Sequence, residues 1–174
     1  MRFHIGKIIK RIIRAAGQRQ AVLVIGNWDT TLIQSLRENQ NSVTQSSDLS
    51  HNENSFTRII INYNDQVDSF SNPVPFFKDI RNLLLPTGLL IVSANSELGF
   101  LEKILNSFKK SHVTEEPGIK KIKPKQLQNN IHDNGFLIDG YYGYPEGHLL
   151  MIAQIQDKEV STLFTSEKQE TIQY

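Results

Sequence analysis

The chain has 174 residues, a formal net charge of +1 and no cysteine. A chain of this length can bury one continuous core without disulfides or metals, so we expect a single compact domain. The lack of cysteine excludes a disulfide framework, a Cys-ligated zinc or iron–sulfur site and a Cys nucleophile, and the near-neutral charge excludes the strong overall positive field of a dedicated nucleic-acid binder.

The apolar runs are short, since none approaches the roughly 20 residues of a membrane-spanning helix. We therefore expect a soluble protein without a transmembrane segment. The cytoplasm is the expected compartment, because a cysteine-free chain is ordinary in a reducing environment. The mitochondrial matrix is the alternative, and it depends on the N-terminal segment.

Residues 1–16 are strongly biased in charge, because they contain five lysines and arginines and no acid. These basic residues are interleaved with isoleucines at helical spacing, which predicts an amphipathic helix. Its apolar stripe is typical of a surface helix that packs on a sheet. A transit peptide, a membrane-surface contact and a nucleic-acid contact are the alternatives, since basic amphipathic N-termini look alike in all three cases.

A strand–loop–helix unit follows this segment. Ala21 to Ile25 is a continuous apolar run rich in β-branched residues, the pattern of a strand buried on both faces of a parallel sheet. Gly26 ends the strand. Asp29 is placed to cap a helix that runs to about Asn39, with its apolar positions on one face.

The middle of the chain alternates polar and apolar segments. The stretch from Glu38 to Asn54 lacks apolar periodicity and is predicted to be mostly loop, with a weak strand at Val43 to Gln45. Arg58 to Asn62 reads as a second buried strand. Pro73 to Leu85 has a proline at its start and an apolar face, which predicts a helix. Pro86-Thr87-Gly88 then predicts a turn.

The remaining elements continue this alternation. Leu89 to Ala94 is a third buried strand, and Ser96 is placed to cap a helix that ends near Lys109-Lys110. Pro124 opens a further helix, which Asn134-Gly135 ends.

Two apolar runs close the sequence of predicted elements. Phe136 to Tyr142 and Leu149 to Ile155 flank a short Gly- and Pro-containing segment, which predicts an antiparallel hairpin at the end of the sheet. Gln156 to Tyr174 is polar and unpatterned, and we expect a mobile tail.

This order of elements predicts an α/β fold: a reduced, three-layer, Rossmann-like sandwich around a mostly parallel sheet with a C-terminal antiparallel hairpin. The predicted organisation is a basic amphipathic helix at residues 1–16, the α/β domain at 17–156 and the tail at 157–174. A ligand crevice in such a fold lies beyond the carboxyl ends of the parallel strands.

Several stretches in this order resemble the class I S-adenosylmethionine-dependent methyltransferases, from about Gln20 to Gln154. They are VLVIGNWDTTLIQSL (residues 22–36), SFTRIIIN (55–62), FFKDIRNLLLPTGLLIVSA (76–94), KPKQLQNNIHDNGFLI (123–138) and GHLLMIAQI (147–155). The resemblance implies a Rossmann-like fold, S-adenosylmethionine as cofactor and methyl transfer to an acceptor that the sequence does not identify.

The nucleotide loop departs from the family's pattern of an acid followed by Gly-x-Gly-x-Gly. The corresponding positions are Val24, Gly26, Trp28 and Thr30, so one glycine remains and the acid is replaced. Glycine is used in such loops because a Cβ would collide with the ligand. The Trp28 ring therefore stands where the cofactor would approach, unless it turns aside and stacks elsewhere. A further departure is Thr57, at a position where the family usually has Asp, and its effect is predicted to be structural.

The segment from Gln40 to Asn54 is shorter than its counterpart in that family. A parallel crossover needs a dozen or more residues including its helix. We therefore expect at least one helix to be missing, and with it the strand whose terminal acid would hold the ribose of the cofactor.

The resemblance assigns cofactor-binding roles to three groups of residues. The loop after the first strand would hold the methionine end, one acid of the polar segment the ribose, and the turn after the second strand would form the reactive face. In that order the residues are Gly26, Asn27, Trp28 and Asp29; Asp48; and Asn62, Tyr63 and Asn64. An ordinary Asn-rich turn and a solvated loop acid are the alternative explanations of the last two groups.

Chemistry-bearing side chains are otherwise sparse. Asp65 could act as a base or be a solvated loop residue, and no catalytic residue is assigned. The histidines lack metal-ligand spacing, and no metal site is predicted; they are His4, His51, His112, His132 and His148.

Three tyrosines cluster in the predicted hairpin. Tyr141, Tyr142 and Tyr144 could offer an aromatic face to a base or a partner, and aromatic packing within the hairpin is the alternative. Besides a lipid- or nucleic-acid-associated role of the basic N-terminal helix, two functions based on the resemblance remain open. The first is an S-adenosylmethionine-dependent methyltransferase with an unknown acceptor. The second is a pseudoenzyme, a non-catalytic methyltransferase-like scaffold or interaction subunit with a protein partner, which the replaced glycines and acid favour.

Overall fold

The structure is a computed structural model that describes residues 2–47, 49–50, 53, 55–66, 72–96, 121–144 and 147–156. Four α-helices are described: α1 (Arg2–Ala16), α2 (Thr30–Glu38), α3 (Pro73–Leu83) and α4 (Pro124–Asp133). The strands are β1 (Ala21–Ile25), β2 (Ser42–Ser46), β3 (Phe56–Asn62), β4 (Leu84–Asn95), β5 (Phe136–Tyr144) and β6 (His148–Ile155). The helix predicted after Ser96 and the tail predicted at 157–174 lie outside the described residues.

The strands form one six-stranded sheet in the order β2-β1-β3-β4-β6-β5. β2, β1, β3 and β4 are parallel to one another, whereas β6 is antiparallel to β4 and to β5. The predicted fold, a mostly parallel sheet that ends in an antiparallel hairpin, is therefore confirmed.

The central strands of the sheet are buried on both faces, as their continuous apolar sequences indicate. Alternate residues contribute to two clusters: Val22, Val24 and Ile60 pack with α1 and α2, and Leu23 and Ile59 pack on the opposite face with α3 and α4. The result is a three-layer arrangement of helix, sheet and helix.

Helix α1 is an integral part of this arrangement. Its isoleucine stripe packs on the sheet, and Ile12 is fully buried there. The connection to β1 is held by the buried amide of Asn41, which donates to Gly17 O at 3.1 Å and accepts from Gln20 N–H at 2.8 Å. The prediction that the apolar stripe packs on the sheet is confirmed.

Strand β2 corrects one expectation. The strand thought to be missing is present and parallel to β1, with Ser46 opposite Ile25. Its sequence is polar because it is an edge strand, and only Val43 packs against the α1–α2 cluster. Among the described residues between β2 and β3, Leu49 packs against the opposite cluster.

The predicted turn at Pro86-Thr87-Gly88 is an irregularity within β4. Helix α3 ends at Leu83, and the strand begins at once. Phe56 pairs with Leu84 and Arg58 with Leu89, so β4 advances further than β3 over this interval. Such a bulge bends the strand without ending its pairing.

Candidate functional site

The parallel strands β1, β2 and β3 end at the same edge of the sheet and leave an open crevice there. Its volume is about 640 Å3. A crevice at this edge is the usual ligand position in an open α/β sheet. The residues that line it are Gly26, Asn27, Gln45, Ser46, Ser47, Asp65 and Gln66.

Gly26 is the residue at which the crevice meets β1. Its φ of +93° lies where L-residues with a Cβ are strained. A Cβ at this position would lie 2.7 Å from Asp65 Oδ2 and 3.2 Å from Asn62 Cβ. Glycine is therefore required both by the backbone conformation and by the space.

Side chains that follow β3 hold the loop that follows β1. Asn27 N–H donates to Asp65 Oδ2 at 2.6 Å, a charge-assisted hydrogen bond. The amide of Asn62 donates to Asn27 O at 3.1 Å. These two hydrogen bonds join the loops into one rim of the crevice, in which the Asp65 carboxylate already accepts from the backbone N–H of Asn27.

Trp28 lies to the side of this crevice. Its indole N–H donates to Ile25 O at 3.1 Å, and its ring packs against the α1–α2 cluster. The indole is not among the groups that line the crevice. The ring therefore lies away from the crevice and packs in the layer formed by α1 and α2.

Asp29 is the N-cap of α2, as predicted. Its carboxylate accepts from Thr31 N–H at 2.7 Å. Hydrogen bonding at Thr31 lowers the pKa of Asp29, and little desolvation opposes the shift, since the side chain is exposed. Its contact is with the helix, and it does not line the crevice.

The other predicted site residues are distributed differently. Tyr63 belongs to the core beneath α3 and α4, and burial raises the pKa of its phenol. Asn64 lies in the helical turn Tyr63–Asp65, and Asp48 lies outside the described residues. The structure thus brings Gly26 and Asn27 together with Asp65 at the crevice.

Sequence reasoning missed the part of the crevice that β2 supplies. Gln45, Ser46 and Ser47 lie where the resemblance implies an acid that holds the ribose. The signal was the weak strand predicted at Val43 to Gln45, because the residues that end a parallel strand next to β1 must reach this edge.

Thr57 has the structural role that its sequence position predicted. Its hydroxyl accepts from Ala21 N–H at 3.1 Å and donates to Ala21 O at 3.1 Å. These bonds join β3 to the start of β1, at the end of the sheet away from the crevice.

Other features of the described residues bear less directly on a site. A cleft of about 600 Å3 lies at the end of the sheet opposite the crevice, between α3, the end of α4 and the start of β4. The described part of the chain contains no group of His, Cys, Asp or Glu residues that could hold a metal ion. None of the described helices is long and apolar enough to cross a membrane.

The sheet order and the helix layers define an α/β protein with a class I S-adenosylmethionine-dependent methyltransferase-like fold. An S-adenosylmethionine-dependent methyltransferase from Aquifex aeolicus is similar over 88% of this chain and 90% of its own, with 12% identity and a TM-score of 0.57. The 1,6-didemethyltoxoflavin-N1-methyltransferase of Burkholderia thailandensis, solved with S-adenosylhomocysteine, is similar over 87% of this chain and 78% of its own, with 14% identity and a TM-score of 0.63.

A third similar chain comes from the complex between the Haloferax volcanii Trm112 methyltransferase activator and a candidate methyltransferase. It covers 85% of this chain and 88% of its own length, with 10% identity and a TM-score of 0.57. No family model matches the sequence, and no curated protein matches it. At such low identities the likeness establishes the fold, and fold alone does not fix function.

Proposed function

We propose that this chain binds S-adenosylmethionine in the crevice at the carboxyl ends of β1, β2 and β3, as an S-adenosylmethionine-dependent methyltransferase-family protein whose acceptor is unassigned. One observation carries the proposal. The crevice beside Gly26 is open because the Trp28 indole packs into the helix layer. The fold shared with S-adenosylmethionine-dependent methyltransferases supports this choice of ligand.

The residues present fit the two ends of this ligand. The loop at Gly26 and Asn27 would hold the methionine end, where the Asp65 carboxylate would face the positive ammonium and sulfonium groups. Gln45 and Ser46 offer an amide and a hydroxyl to the ribose hydroxyls. Bound there, the cofactor supplies an electrophilic methyl group, and Asn62 keeps the loop in place through Asn27 O.

A calorimetric titration with S-adenosylhomocysteine tests the proposal, because this product-like ligand has no net charge. Gln45→Glu restores an acid near the ribose, and a carboxylate makes stronger hydrogen bonds to hydroxyls than an amide does. We expect a gain of about 1 kcal/mol, or about fivefold in affinity. Gln154→Glu is the matched control, because it makes the same charge change on β6 opposite Leu89, away from the crevice.

We expect saturable binding of S-adenosylhomocysteine, which Gln45→Glu tightens and Gln154→Glu leaves unchanged. The absence of binding at millimolar S-adenosylhomocysteine and S-adenosylmethionine would refute the proposal. Tightening by both variants alike would show that the effect of the acid is unrelated to the crevice.

A second candidate function is a non-catalytic scaffold or interaction subunit with a protein partner. The hydrogen bond from Asn27 N–H to Asp65 favours it, because the loop satisfies internally a donor that a ligand would use. An activator complex among the similar structures makes a protein partner a reasonable class of ligand. If this function is the correct one, Asp65→Ala should create cofactor binding that the unmodified chain lacks.

The structure of α1 bears on the compartment. Its isoleucine stripe belongs to the folded core, so removal of α1 as a transit peptide would expose one face of the sheet. This favours the cytoplasm over the mitochondrial matrix. Mass spectrometry of the protein from its own cells would reveal cleavage near Ala16 if the matrix is correct.

A further inference from the structure

A row of cations lies on α1 beside its isoleucine stripe. Lys7, Lys10, Arg11 and Arg14 have i, i+3, i+4 and i+7 spacing and therefore share one helix face. With Tyr144 they line a cleft of about 240 Å3, which we name the basic cleft. No acid is among the described residues that line it, so its cations are not neutralised from within.

One side of the basic cleft is formed by β5 of the β5–β6 hairpin, whose tyrosines contact α1. The guanidinium carbon of Arg11 lies 3.9 Å from the centre of the Tyr142 ring, a close cation–π contact. Tyr142 and Tyr144 both pack against the α1–α2 cluster. Burial raises the pKa of Tyr144, against an opposing effect of Arg11, so its phenol stays neutral at physiological pH. Lys7, Lys10 and Arg14 remain exposed around it.

The basic cleft opens at the same edge of the sheet as the crevice. Tyr144 pairs with His148, and His148 pairs with Asn95 at the carboxyl end of β4. Trp28 and Tyr144 also pack against the same cluster. A ligand held by α1 would therefore lie near the end of the sheet where the parallel strands finish.

We propose that the basic cleft binds single-stranded nucleic acid, with phosphates on Lys7, Lys10 and Arg14 and a base against Tyr144. An electropositive groove combined with an aromatic ring is the pattern by which proteins bind single strands. The row from Lys7 to Arg14 is about 10 Å long at 1.5 Å per residue, a length suited to a few nucleotides. The inference does not depend on cofactor binding in the crevice.

A membrane surface fits the same helix less well. Insertion of an amphipathic helix into a lipid interface requires a free apolar face. The apolar face of α1 is already buried on the sheet, where Ile12 is fully covered. The cations that remain surround a concave cleft, which suits a chain of phosphates better than a flat lipid surface.

The number of exposed cations sets the expected salt dependence. Three phosphate contacts on a single strand give a slope of about −2 in log K against log salt. Affinity should therefore fall about 20-fold between about 50 and 200 mM salt.

Fluorescence anisotropy with a labelled oligothymidylate of about 12 nucleotides measures this binding on the full chain. The test variant combines Lys7→Gln, Lys10→Gln and Arg14→Gln. The control combines Lys78→Gln, Lys123→Gln and Lys125→Gln, which removes the same charge from exposed positions elsewhere. Point substitutions are used because deletion of α1 would remove part of the core, and circular dichroism checks that both variants are folded.

We expect the test variant to bind at least tenfold more weakly and the control to change less than threefold. Tyr144→Leu should weaken binding with no change in the salt slope, since it removes stacking and no charge. Equal weakening in both charge variants, or no oligonucleotide binding at low salt, would overturn the proposal. If the chain sediments with phosphatidylserine vesicles but binds no oligonucleotide, the basic cleft would instead be assigned to a membrane surface.

The experiment is separable from the proposed function. Oligonucleotide binding is measured without cofactor, and it is expected whether or not S-adenosylhomocysteine binds. A chain that binds S-adenosylhomocysteine and no oligonucleotide would refute this inference alone.

Discussion

Replacement of Gly26 by alanine isolates the contact that shapes the crevice. The new Cβ must accept a φ of +93° and would stand 2.7 Å from Asp65 Oδ2. Left-handed backbone costs a residue with a Cβ about 1–2 kcal/mol. Displacement of a packed neighbour costs about 1–3 kcal/mol more. We therefore expect Gly26→Ala to lower the free energy of unfolding by about 2–5 kcal/mol.

Gly17→Ala is the matched control for this substitution. Gly17 also has a positive φ, +75°, but a Cβ there would meet no atom of the described residues within 4 Å. It should lose only the backbone part, about 1–2 kcal/mol. Urea denaturation followed by far-ultraviolet circular dichroism measures both variants. Equal losses in the two variants would refute the argument that a Cβ at position 26 clashes with Asp65 Oδ2.

The double variant Gly26→Ala with Asp65→Ala completes the cycle. Removal of the carboxylate takes away the atom at 2.7 Å, so the two substitutions should cost less together than the sum of their separate costs. An additive result would show that the contact with Asp65 Oδ2 contributes nothing to the cost of Gly26→Ala.

Three further predictions concern the packing around the site. Thr57→Val should lower the free energy of unfolding by about 1–2 kcal/mol, because Ala21 loses a partner for both its N–H and its carbonyl; no change in urea denaturation would contradict it. Arg58→Met should leave that free energy unchanged or raise it, because Arg58 Nε is buried without a partner among the described residues and burial lowers the pKa of the guanidinium; a clear loss would show that the hydrogen bond from Arg58 Nη1 to Thr57 O outweighs this penalty. Asp29→Ala should lower the melting temperature at neutral pH and have less effect in acid. The pKa of Asp29 is lowered from 3.8, so its stabilisation is present above that value and disappears as the pH falls through the folded pKa; a constant difference across this range would contradict it.

The sequence predicted the architecture well because its strands are apolar on both faces. Ala21 to Ile25 and Arg58 to Asn62 could lie only within a sheet covered by helices, and both do. The N-cap at Asp29 was equally clear, since cap and helix are neighbours in the chain. Local chemistry and continuous burial were therefore sufficient for the interior elements.

The edge of the sheet could not be derived in the same way. β2 contributes little to the core, and its place is set by backbone pairing with β1, which leaves no apolar pattern in Ser42–Ser46. The weak strand predicted at Val43 to Gln45 is present within β2, but its place beside β1 was not recognised. The residues that it brings to the crevice, Gln45 and Ser46, were missed for the same reason.

The rim of the crevice depends on contacts between residues distant in the sequence. The sequence raised the question of where the Trp28 ring would lie, and the answer comes from its packing against residues of α1 and α2. The bond between Asn27 and Asp65 joins two loops 38 positions apart. Such contacts follow from strand order, which no local pattern specifies.

A two-dimensional amide NMR titration with S-adenosylhomocysteine tests the central claim most directly. Binding in the crevice should shift the amide signals of Gly26, Asn27 and Gln45, which line it, and leave those near Arg81 at the opposite edge unchanged. Shifts confined to the opposite edge or to α1, or no shifts at millimolar ligand, would contradict the account.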